Sequence, residues 1–431
     1  MVLNKYPWTF RLAIASIALG VLAGCDTTPQ PAAPSGTGTP TANATAPTGG
    51  DAAGGSLGRP ATTGKGNSVT GDTIPIGLVC SLTGDQAPWG EDNKKGAQLA
   101  VDEANAAGGI NGKKFNLLIE DDGSKEEQGQ SATEKLVDDE KVVAIMGEVA
   151  SGITLQMGPV CQEKGVPDVA VGATKTTLTG IGNVMFRVCY TDDLQGPVMA
   201  NFAYKDLGLK EVGVITDKKT PYSTGLSDAF KATFQKLGGT IVDEEFYEKG
   251  ATNFQGILTT MKSKNPKGVF ASGYFTEVGP LVRQAKEQGL AVPFFGGDGW
   301  DSKQILQTGG DAILGDFFCN HYNNGDKRPE VQTFLKAWAA KYPDEPQPGT
   351  TMGALGYDAA AIIIDALKKC KNLDSLSLRD ALDNEENFHG VSGDITLKGN
   401  NGNPPKRAVV VKLTPQGQVF AKAFEAADVT K

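Results

Sequence analysis

Histidine is almost absent from this chain of 431 residues, which contains only His321 and His389. Neither histidine adjoins an obvious nucleophile, and the patterns GxSxG, HExxH and the phosphate-binding P-loop are missing. The glycine-rich turn at 108–112 does not fit the dinucleotide pattern GxGxxG either. These absences argue against an enzyme, and we expect a binding protein that carries no cofactor and no metal ion.

An excess of positive charge is missing, and long apolar runs are scarce. The formal net charge is −9 and no basic cluster stands out, which argues against a nucleic-acid partner. The one long apolar run, at 12–23, is too short to span a bilayer comfortably. It follows the basic residues Lys5 and Arg11 and ends in the lipobox-like sequence Leu-Ala-Gly-Cys at Cys25. We therefore expect a signal peptide at 1–24 and a lipid on Cys25, so that the protein is extracytoplasmic and meets the membrane through this anchor alone.

Large apolar side chains are nearly missing between residues 27 and 68, where proline, alanine, threonine and glycine dominate. Such a segment cannot bury enough surface to offset the entropy lost on ordering. The sequence therefore predicts that residues 25–71 form a disordered tether.

Paired cysteine motifs are missing as well. No two of the six cysteines have CxxC spacing, so a zinc or redox site is not expected. Removal of Cys25 leaves an odd number, and at least one thiol must stay free unless it pairs with another molecule. The interpretation favours a disulfide between Cys161 and Cys189 and buried single thiols for Cys80, Cys319 and Cys370.

A regular alternation of short apolar strands and amphipathic helices fills the rest of the chain. The first series begins with a strand at 76–80, a helix that ends near 106 and a strand at 115–120. A second series begins near Gln195. Alternation of this kind predicts parallel sheets covered by helices on both faces, and two series predict an α/β protein with two doubly wound lobes. Ligands bind such sheets beyond the carboxyl ends of the strands.

Short motifs in a fixed order connect the chain to a known family. They are IGLVCSLTG at 76–84, WG at 89–90, GA at 96–97, AGGING at 107–112, EDD at 120–122, GVP at 165–167, FR at 186–187 before Asp192, QG at 195–196, DK at 217–218, Tyr222 and Gly225.

With these motifs the chain resembles the branched-chain and neutral amino-acid-binding proteins of ABC importers, such as the binding subunits of cyanobacterial neutral amino-acid permeases. The resemblance implies the type I periplasmic-binding-protein fold, with two lobes joined by a three-crossover hinge. It implies one lobe from 72–192 plus 319–393 and another from 193–318 plus 394–431. The implied partner is the membrane permease of an ABC importer.

Two loops after strands are expected to hold the carboxylate of a ligand. Ala150 and Ser151 follow one strand and open a helix, whose N-terminus favours an anion. The next strand ends at Gly172, Ala173 and Thr174. The resemblance implies that both loops clamp an α-carboxylate. The alternatives are that Ser151 only caps its helix and that 172–176 is a plain threonine-rich turn.

Asp298 is the expected partner for a ligand ammonium group, because neighbouring glycines leave its carboxylate room to point inward. The resemblance implies an acidic residue here, commonly Glu, and the alternative is a surface turn. Glu148 and Glu277 are candidates for contact with a polar ligand side chain. Further pocket-lining candidates are Trp89, Tyr190, Tyr222, Tyr274, Trp300 and Met352.

The predicted function is therefore capture of an amino acid for an ABC importer, with a neutral amino acid favoured. One alternative is an enzyme on an α/β scaffold, for which no catalytic constellation is found. Another is a receptor of the same fold for urea, short amides or another small solute such as an aromatic acid. A ligand-sensing subunit is a third. Asp298 discriminates among the ligands, because an amino acid needs an anionic partner and a neutral amide does not.

Overall fold

The computed structural model describes residues 58–429. The expected signal peptide, Cys25 and most of the expected tether lie outside this range. Between residues 58 and 429, no helix is both long and apolar enough to cross a membrane.

The first of two main sheets has five parallel strands in the spatial order β2-β1-β3-β4-β5. Strand β1, between β2 and β3, is almost wholly buried, as expected for a parallel sheet covered on both faces. We call the part of the chain built on this sheet the small-sheet lobe. Its strands are β1 (Thr73–Cys80), β2 (Lys114–Asp121), β3 (Ile145–Gly147), β4 (Asp168–Ala170) and β5 (Met185–Arg187).

The second sheet has seven strands in the order β14-β13-β10-β9-β8-β6-β7, and only β13 and β14 run antiparallel to their neighbours. We call the part built on it the large-sheet lobe. Its strands are β6 (Glu211–Asp217), β7 (Thr240–Tyr247), β8 (Val269–Ser272), β9 (Phe294–Gly296), β10 (Phe317–Asn320), β13 (Ala408–Thr414) and β14 (Gly417–Phe424). A separate antiparallel pair is formed by β11 (Phe388–Gly390) and β12 (Gly393–Ile395).

Helices connect the strands in both series. They are α1 (Ala87–Ala106), α2 (Glu126–Glu134), α3 (Ser151–Lys164), α4 (Asp192–Asn201), α5 (Pro221–Lys236), α6 (Gln255–Ser263), α7 (Phe275–Glu287), α8 (Gln304–Gly309), α9 (Pro329–Lys341), α10 (Met352–Lys369), α11 (Ser375–Asp383) and α12 (Ala426–Val429). Pro88 lies in the first turn of α1, where its missing N–H is not needed, and Gly108 and Gly109 with positive φ follow its end.

The chain crosses between the lobes three times, which confirms the predicted fold class. The crossings lie between β5 and α4, between β10 and α9, and between β12 and β13. The predicted second boundary at Cys319 falls inside β10, so the chain leaves the larger sheet only after Asn320. The remaining lobe boundaries stay predictions.

Residues 58–71 are packed on the small-sheet lobe, so the predicted disordered tether extends too far toward the C-terminus. Arg59 Nη1 donates to the Met185 carbonyl at 2.6 Å, and the Thr62 N–H donates to Asn183 Oδ1 at 2.9 Å. The Asn67 amide donates to the carbonyls of Val137 and Val142, both at 2.9 Å. Polar side chains and backbone groups, rather than large apolar residues, hold this segment in place. We call residues 58–71 the strap.

The favoured disulfide between Cys161 and Cys189 is wrong, because both are free thiols. Cys161 is buried on α3, where the carboxylate of Asp168 lies nearby. Cys189 follows β5 and donates from its sulfur to the Ala173 carbonyl at 3.4 Å. The other three cysteines of the described range, Cys80, Cys319 and Cys370, are also free.

Asp168 makes the stability of the small-sheet lobe depend on pH. It is fully buried in β4, where neither carboxylate oxygen has a hydrogen-bond partner, and burial raises the pKa of its carboxyl to about 8. A raised pKa in the folded state stabilises the protein below the unfolded pKa, and this contribution is lost as pH rises toward 8.

We expect Asp168→Asn to be about as stable as the unmodified protein near pH 4 and clearly more stable than it at pH 8. The difference in the free energy of unfolding should grow by up to about 1.4 kcal/mol per pH unit across this range. Urea unfolding at several pH values measures it. Asp228→Asn is the control, because the side chain of Asp228 is 76% exposed. A difference that does not change with pH would contradict the prediction.

Candidate functional site

A small cavity lies where the carboxyl ends of the parallel strands from the two sheets face each other. Its volume is about 10 Å³, and both lobes contribute to its wall. The small-sheet lobe supplies Trp89, Val149, Ser151, Gly172 and Met352, and the large-sheet lobe supplies Tyr222, Tyr274, Asp298 and Gly299. The position agrees with the rule that ligands bind open α/β sheets outside the carboxyl ends of their strands.

Ser151 is the first residue of α3, and its hydroxyl is turned away from capping that helix. The N-cap residue is Ala150, and its methyl side chain makes no capping hydrogen bond. Instead, Ser151 Oγ accepts a hydrogen bond from the Lys175 N–H at 3.3 Å. The serine therefore joins the two loops that the sequence proposed as a clamp, and the alternative of a simple cap is wrong.

A buried arginine fixes the loop after β4 through hydrogen bonds to its carbonyls. Arg187 at the end of β5 donates from Nη1 to the Ala173 carbonyl at 2.7 Å and from Nη2 to the Lys175 carbonyl at 2.8 Å. Gly172 lies on the cavity wall, and a Cβ added there would meet the sulfur of Met352 at 3.0 Å. Arg187 fixes the loop while the missing side chain of Gly172 leaves its backbone close to the cavity.

Asp298 lies directly after β9 at the start of a short 3₁₀ helix, and its carboxylate is 4% exposed. Gln195 Nε2 donates to Asp298 Oδ1 at 3.1 Å, and the Asp298 N–H donates back to Gln195 Oε1 at 3.2 Å. On the other side, His321 Nε2 lies 2.9 Å from Asp298 Oδ2. The carboxylate is therefore oriented by two buried side chains while it remains part of the cavity wall.

Aromatic rings enclose the cavity between these polar walls. Tyr222 and Tyr274 stack with ring centroids 5.2 Å apart, and Trp89 meets Tyr274 edge-on at 5.2 Å. The Gly299 N–H donates to the Tyr222 hydroxyl at 2.9 Å. Trp89 Nε1 donates to the Asp301 carbonyl at 2.6 Å, which ties α1 of one lobe to the other lobe.

Buried acids near the cavity have raised pKa values. Burial, with Asp298 as a nearby like charge, raises the pKa of Asp192 to about 7, although the hydrogen bond from Gln195 opposes the shift. Burial and the neighbouring Asp122 also raise the pKa of Glu148, which accepts hydrogen bonds from Ser81 and from the Ala150 N–H. Both effects favour protonated carboxyls, so the site carries less negative charge than its composition suggests.

The structure brings seven of the twelve predicted ligand residues to the cavity wall. They are Trp89, Ser151, Gly172, Tyr222, Tyr274, Asp298 and Met352.

The other five lie behind this wall. Thr174 is buried and accepts from Gln195 Nε2 at 3.4 Å, and Ala173 binds Arg187 through its carbonyl. Trp300 donates to the Ala271 carbonyl at 3.1 Å, and Tyr190 stacks on His321 with centroids 4.0 Å apart. Ala150 serves as the N-cap of α3. The ligand roles of all twelve residues remain predictions.

Sequence reasoning gave no role to several residues that shape the site. Gln195 and Arg187 stood in quoted motifs without a function, and Val149 and Gly299 are cavity residues next to predicted ones. His321 was considered only as a catalytic residue. The position of His321 directly after β10 could have placed it at the cleft, because the strand ends of one parallel sheet face the same cleft. Within residues 58–429, no group of three or more His, Cys, Asp or Glu side chains is arranged to hold a metal ion.

Two α/β lobes joined by three crossings, with a polar and aromatic cavity between them, define a two-lobed receptor for small solutes. The chain belongs to the family of periplasmic binding proteins, whose model matches residues 73–418. This is a family of solute-binding transport proteins rather than enzymes.

Individual relatives agree with this membership. The Leu/Ile/Val-binding protein BraC3 of Rhizobium johnstonii is 33% identical over 351 residues, which cover 81% of this chain and 93% of the relative. A leucine-binding protein of Thermotoga maritima has a solved structure with a TM-score of 0.78 and 31% identity, covering 83% of this chain and 100% of that one. The branched-chain amino acid transporter substrate-binding protein LivJ of Streptococcus pneumoniae, solved with isoleucine, has a TM-score of 0.77 and 31% identity and covers 82% and 99%.

Proposed function

We propose that this protein captures an amino acid between its two lobes and delivers it to the permease of an ABC importer. The supporting observation is the opposition of two polar groups across one aromatic cavity. Ser151 at the N-terminus of α3 lies on the wall from one lobe, and Asp298 lies on the wall from the other. A helix N-terminus favours a carboxylate, and a buried aspartate favours an ammonium group, so the pair matches the two charged groups of an amino acid.

Closure of the lobes is part of this proposal. Sites for small molecules have volumes of about 300–1,000 Å³, whereas the cavity has about 10 Å³. An amino acid therefore enters only after the walls separate. Separation breaks the Trp89–Asp301 hydrogen bond and the contact of Lys249 Nζ with the Ser124 carbonyl at 3.5 Å. A ligand that binds both walls stabilises the closed form through its differential affinity.

We further propose that the protein works outside the cytoplasm, attached to the membrane through a lipid on Cys25. Mass spectrometry of the protein purified from membranes tests the anchor, because a diacylated N-terminal cysteine has a characteristic mass. An unmodified Cys25 would contradict this part of the proposal and leave the ligand site unaffected.

Calorimetric titration with matched ligands tests the ligand class. We expect saturable heat with leucine or another neutral amino acid, with a dissociation constant near 1 µM, about −8 kcal/mol. The matched ligands are 4-methyl-2-oxopentanoate, which lacks the amine, and 3-methylbutylamine, which lacks the carboxylate; each should bind at least about 100-fold more weakly. Urea, acetamide and benzoate complete the panel. Heat from one of these three without heat from any amino acid would overturn the assigned ligand while leaving the fold intact.

A further inference from the structure

His321 is the residue of the site to which neither the predicted function nor the family membership gives a role. Its side chain is fully buried, and its Nε2 lies 2.9 Å from Asp298 Oδ2. Tyr190 stacks on the ring with centroids 4.0 Å apart and planes 21° apart, and the His321 backbone N–H donates to Asn320 Oδ1 at 2.9 Å. These contacts hold the imidazole in one orientation against the carboxylate.

The surroundings of the pair are mostly acidic or neutral. Gln195 Nε2 lies within hydrogen-bond distance of both Asp298 Oδ1 and Asp192 Oδ1, at 3.1 and 2.9 Å, so two carboxylates share one amide. Titratable and charged groups lie on every element packed around Asp298 and His321. They are Asp192 of α4, Lys175 beside Asp192, Asp301 after the 3₁₀ helix of Asp298, Arg187, Cys189 and Tyr190 at the end of β5, Tyr222 of α5, Tyr274 before α7, Cys319 of β10 and Lys406 before β13.

Arg187 and Lys406 are already engaged elsewhere. Arg187 donates to the Ala173 and Lys175 carbonyls, and Lys406 donates to the Val188 carbonyl at 2.8 Å and to Ser392 Oγ. Within the described part of the chain, His321 is the basic side chain that lies in hydrogen-bond contact with Asp298. A ligand ammonium group at Asp298 has to share this carboxylate with it.

We propose that His321 is a positioning residue that sets the charge of the ammonium site, so that binding of an α-amino acid at Asp298 is coupled to loss of a proton from His321. This inference rests on the proposed function. When protonated, the imidazole neutralises Asp298 and repels the incoming ammonium group. When neutral, it keeps one N–H on Oδ2, holds the carboxylate in place and leaves its negative charge to the ligand.

The direction of the pH effect follows from linkage. The liganded form binds fewer protons than the free form, so the affinity for an amino acid rises with pH across about pH 5 to 8, where histidine changes charge. One coupled proton limits the gain to about tenfold per pH unit. A ligand without an amine does not compete with His321 and gains nothing from its deprotonation.

The chain offers a matched control, because its only other histidine, His389, also pairs with an aspartate. His389 Nδ1 lies 2.8 Å from Asp394 Oδ1, and the two side chains are 70% and 73% exposed. His321→Gln therefore removes an imidazole from the site, and His389→Gln removes the same group from the surface. Gln at 321 retains an N–H that can donate to Asp298.

The first test measures amino-acid affinity by calorimetry from pH 5.5 to 7.5, in pairs of buffers with different ionisation enthalpies. We expect at least a tenfold gain in affinity and release of up to one proton in the unmodified protein and in His389→Gln. We expect less than about a threefold gain and no proton release in His321→Gln. Asp192 has a pKa of about 7 and titrates in the same range, so Asp192→Asn measures its share of the gain; a gain that disappears in Asp192→Asn but persists in His321→Gln overturns the proposal. An undiminished gain in His321→Gln overturns the proposal.

A second measurement does not need a variant at the site. The protein with His389→Gln contains one histidine, so its single imidazole resonance reports His321 directly. We expect saturating ligand to lower the pH at which this resonance titrates by at least one unit, and an unchanged titration overturns the inference. If neither the unmodified protein nor any of the variants binds an amino acid, the proposed function itself is refuted.

Discussion

Replacing Asp298 with asparagine is expected to weaken amino-acid binding by about 30-fold to several thousand-fold, or about 2–5 kcal/mol. The carboxylate is 4% exposed and lies on the cavity wall, held by Gln195 and His321. Asparagine keeps the shape but offers a neutral oxygen, so the ligand ammonium group is desolvated without a counter-charge. Calorimetric titration with the best ligand of the panel measures the loss.

Two comparisons make this result specific. Ser151→Ala should cost only about 1 kcal/mol, roughly fivefold in affinity, because the backbone N–H groups at the start of α3 remain. The weak binding of the analogue without an amine should be unchanged by Asp298→Asn, because that analogue has no ammonium group to lose its partner. Equal losses for both variants, or equal losses for both ligands, would refute the roles assigned to the two walls.

The second large effect is expected at the hinge, where Lys406 connects two crossings. Its ammonium group donates to the Val188 carbonyl on the first crossing at 2.8 Å and to Ser392 Oγ at 2.5 Å. Ser392 in turn donates from Oγ and from its N–H to Asp358 Oδ2, and the Val391 N–H donates to Asp358 Oδ1 at 2.7 Å. All of these side chains are buried. Burial lowers the pKa of Lys406 to about 8 and raises the pKa of Asp358.

We expect Lys406→Met to lower the free energy of unfolding at pH 7 by about 3–5 kcal/mol, because Asp358 then stays buried without a nearby cation. Asp358 can relieve this by binding a proton, and a raised folded-state pKa means that stability is lost as pH rises. The deficit should therefore be smaller at pH 5 than at pH 7. Urea unfolding followed by tryptophan fluorescence measures both values.

The double variant Lys406→Met with Asp358→Asn separates charge from packing. If the unpaired carboxylate causes the loss, the second substitution should recover at least half of it at pH 7. A deficit that is the same at both pH values and in the double variant would show that lost packing, and not charge, destabilises the hinge.

The fold class followed from the sequence because hydrophobic periodicity is a local signal that repeats. Each strand and helix needs only its own residues to be recognised, and their alternation limits the sheets to parallel ones. The strap was missed for the opposite reason. Its residues carry no apolar pattern, and it is held by Arg59, Thr62 and Asn67 bonding to groups more than 60 positions away in the chain.

The site was predictable only to the extent that strand ends could be located. Ser151, Gly172 and Asp298 follow β3, β4 and β9 closely, and all three reach the cavity. Trp300 and Tyr190 also follow strands, but their side chains turn into the core, and sequence does not specify that direction. The partnership of His321 with Asp298 depends on two adjacent strands lying in register, which becomes visible only when the larger sheet is assembled.

The strap determines which part of the molecule bears a mechanical load. Its hydrogen bonds to Val137, Val142, Asn183 and Met185 all end on the small-sheet lobe. Tension that reaches Gly58 from the preceding chain is therefore transmitted to that lobe, through bonds spread along an extended segment. These bonds transmit none of this force to the large-sheet lobe, which can still rotate relative to the small-sheet lobe. Pulling on the N-terminus would thus leave the opening and closing of the cleft undisturbed.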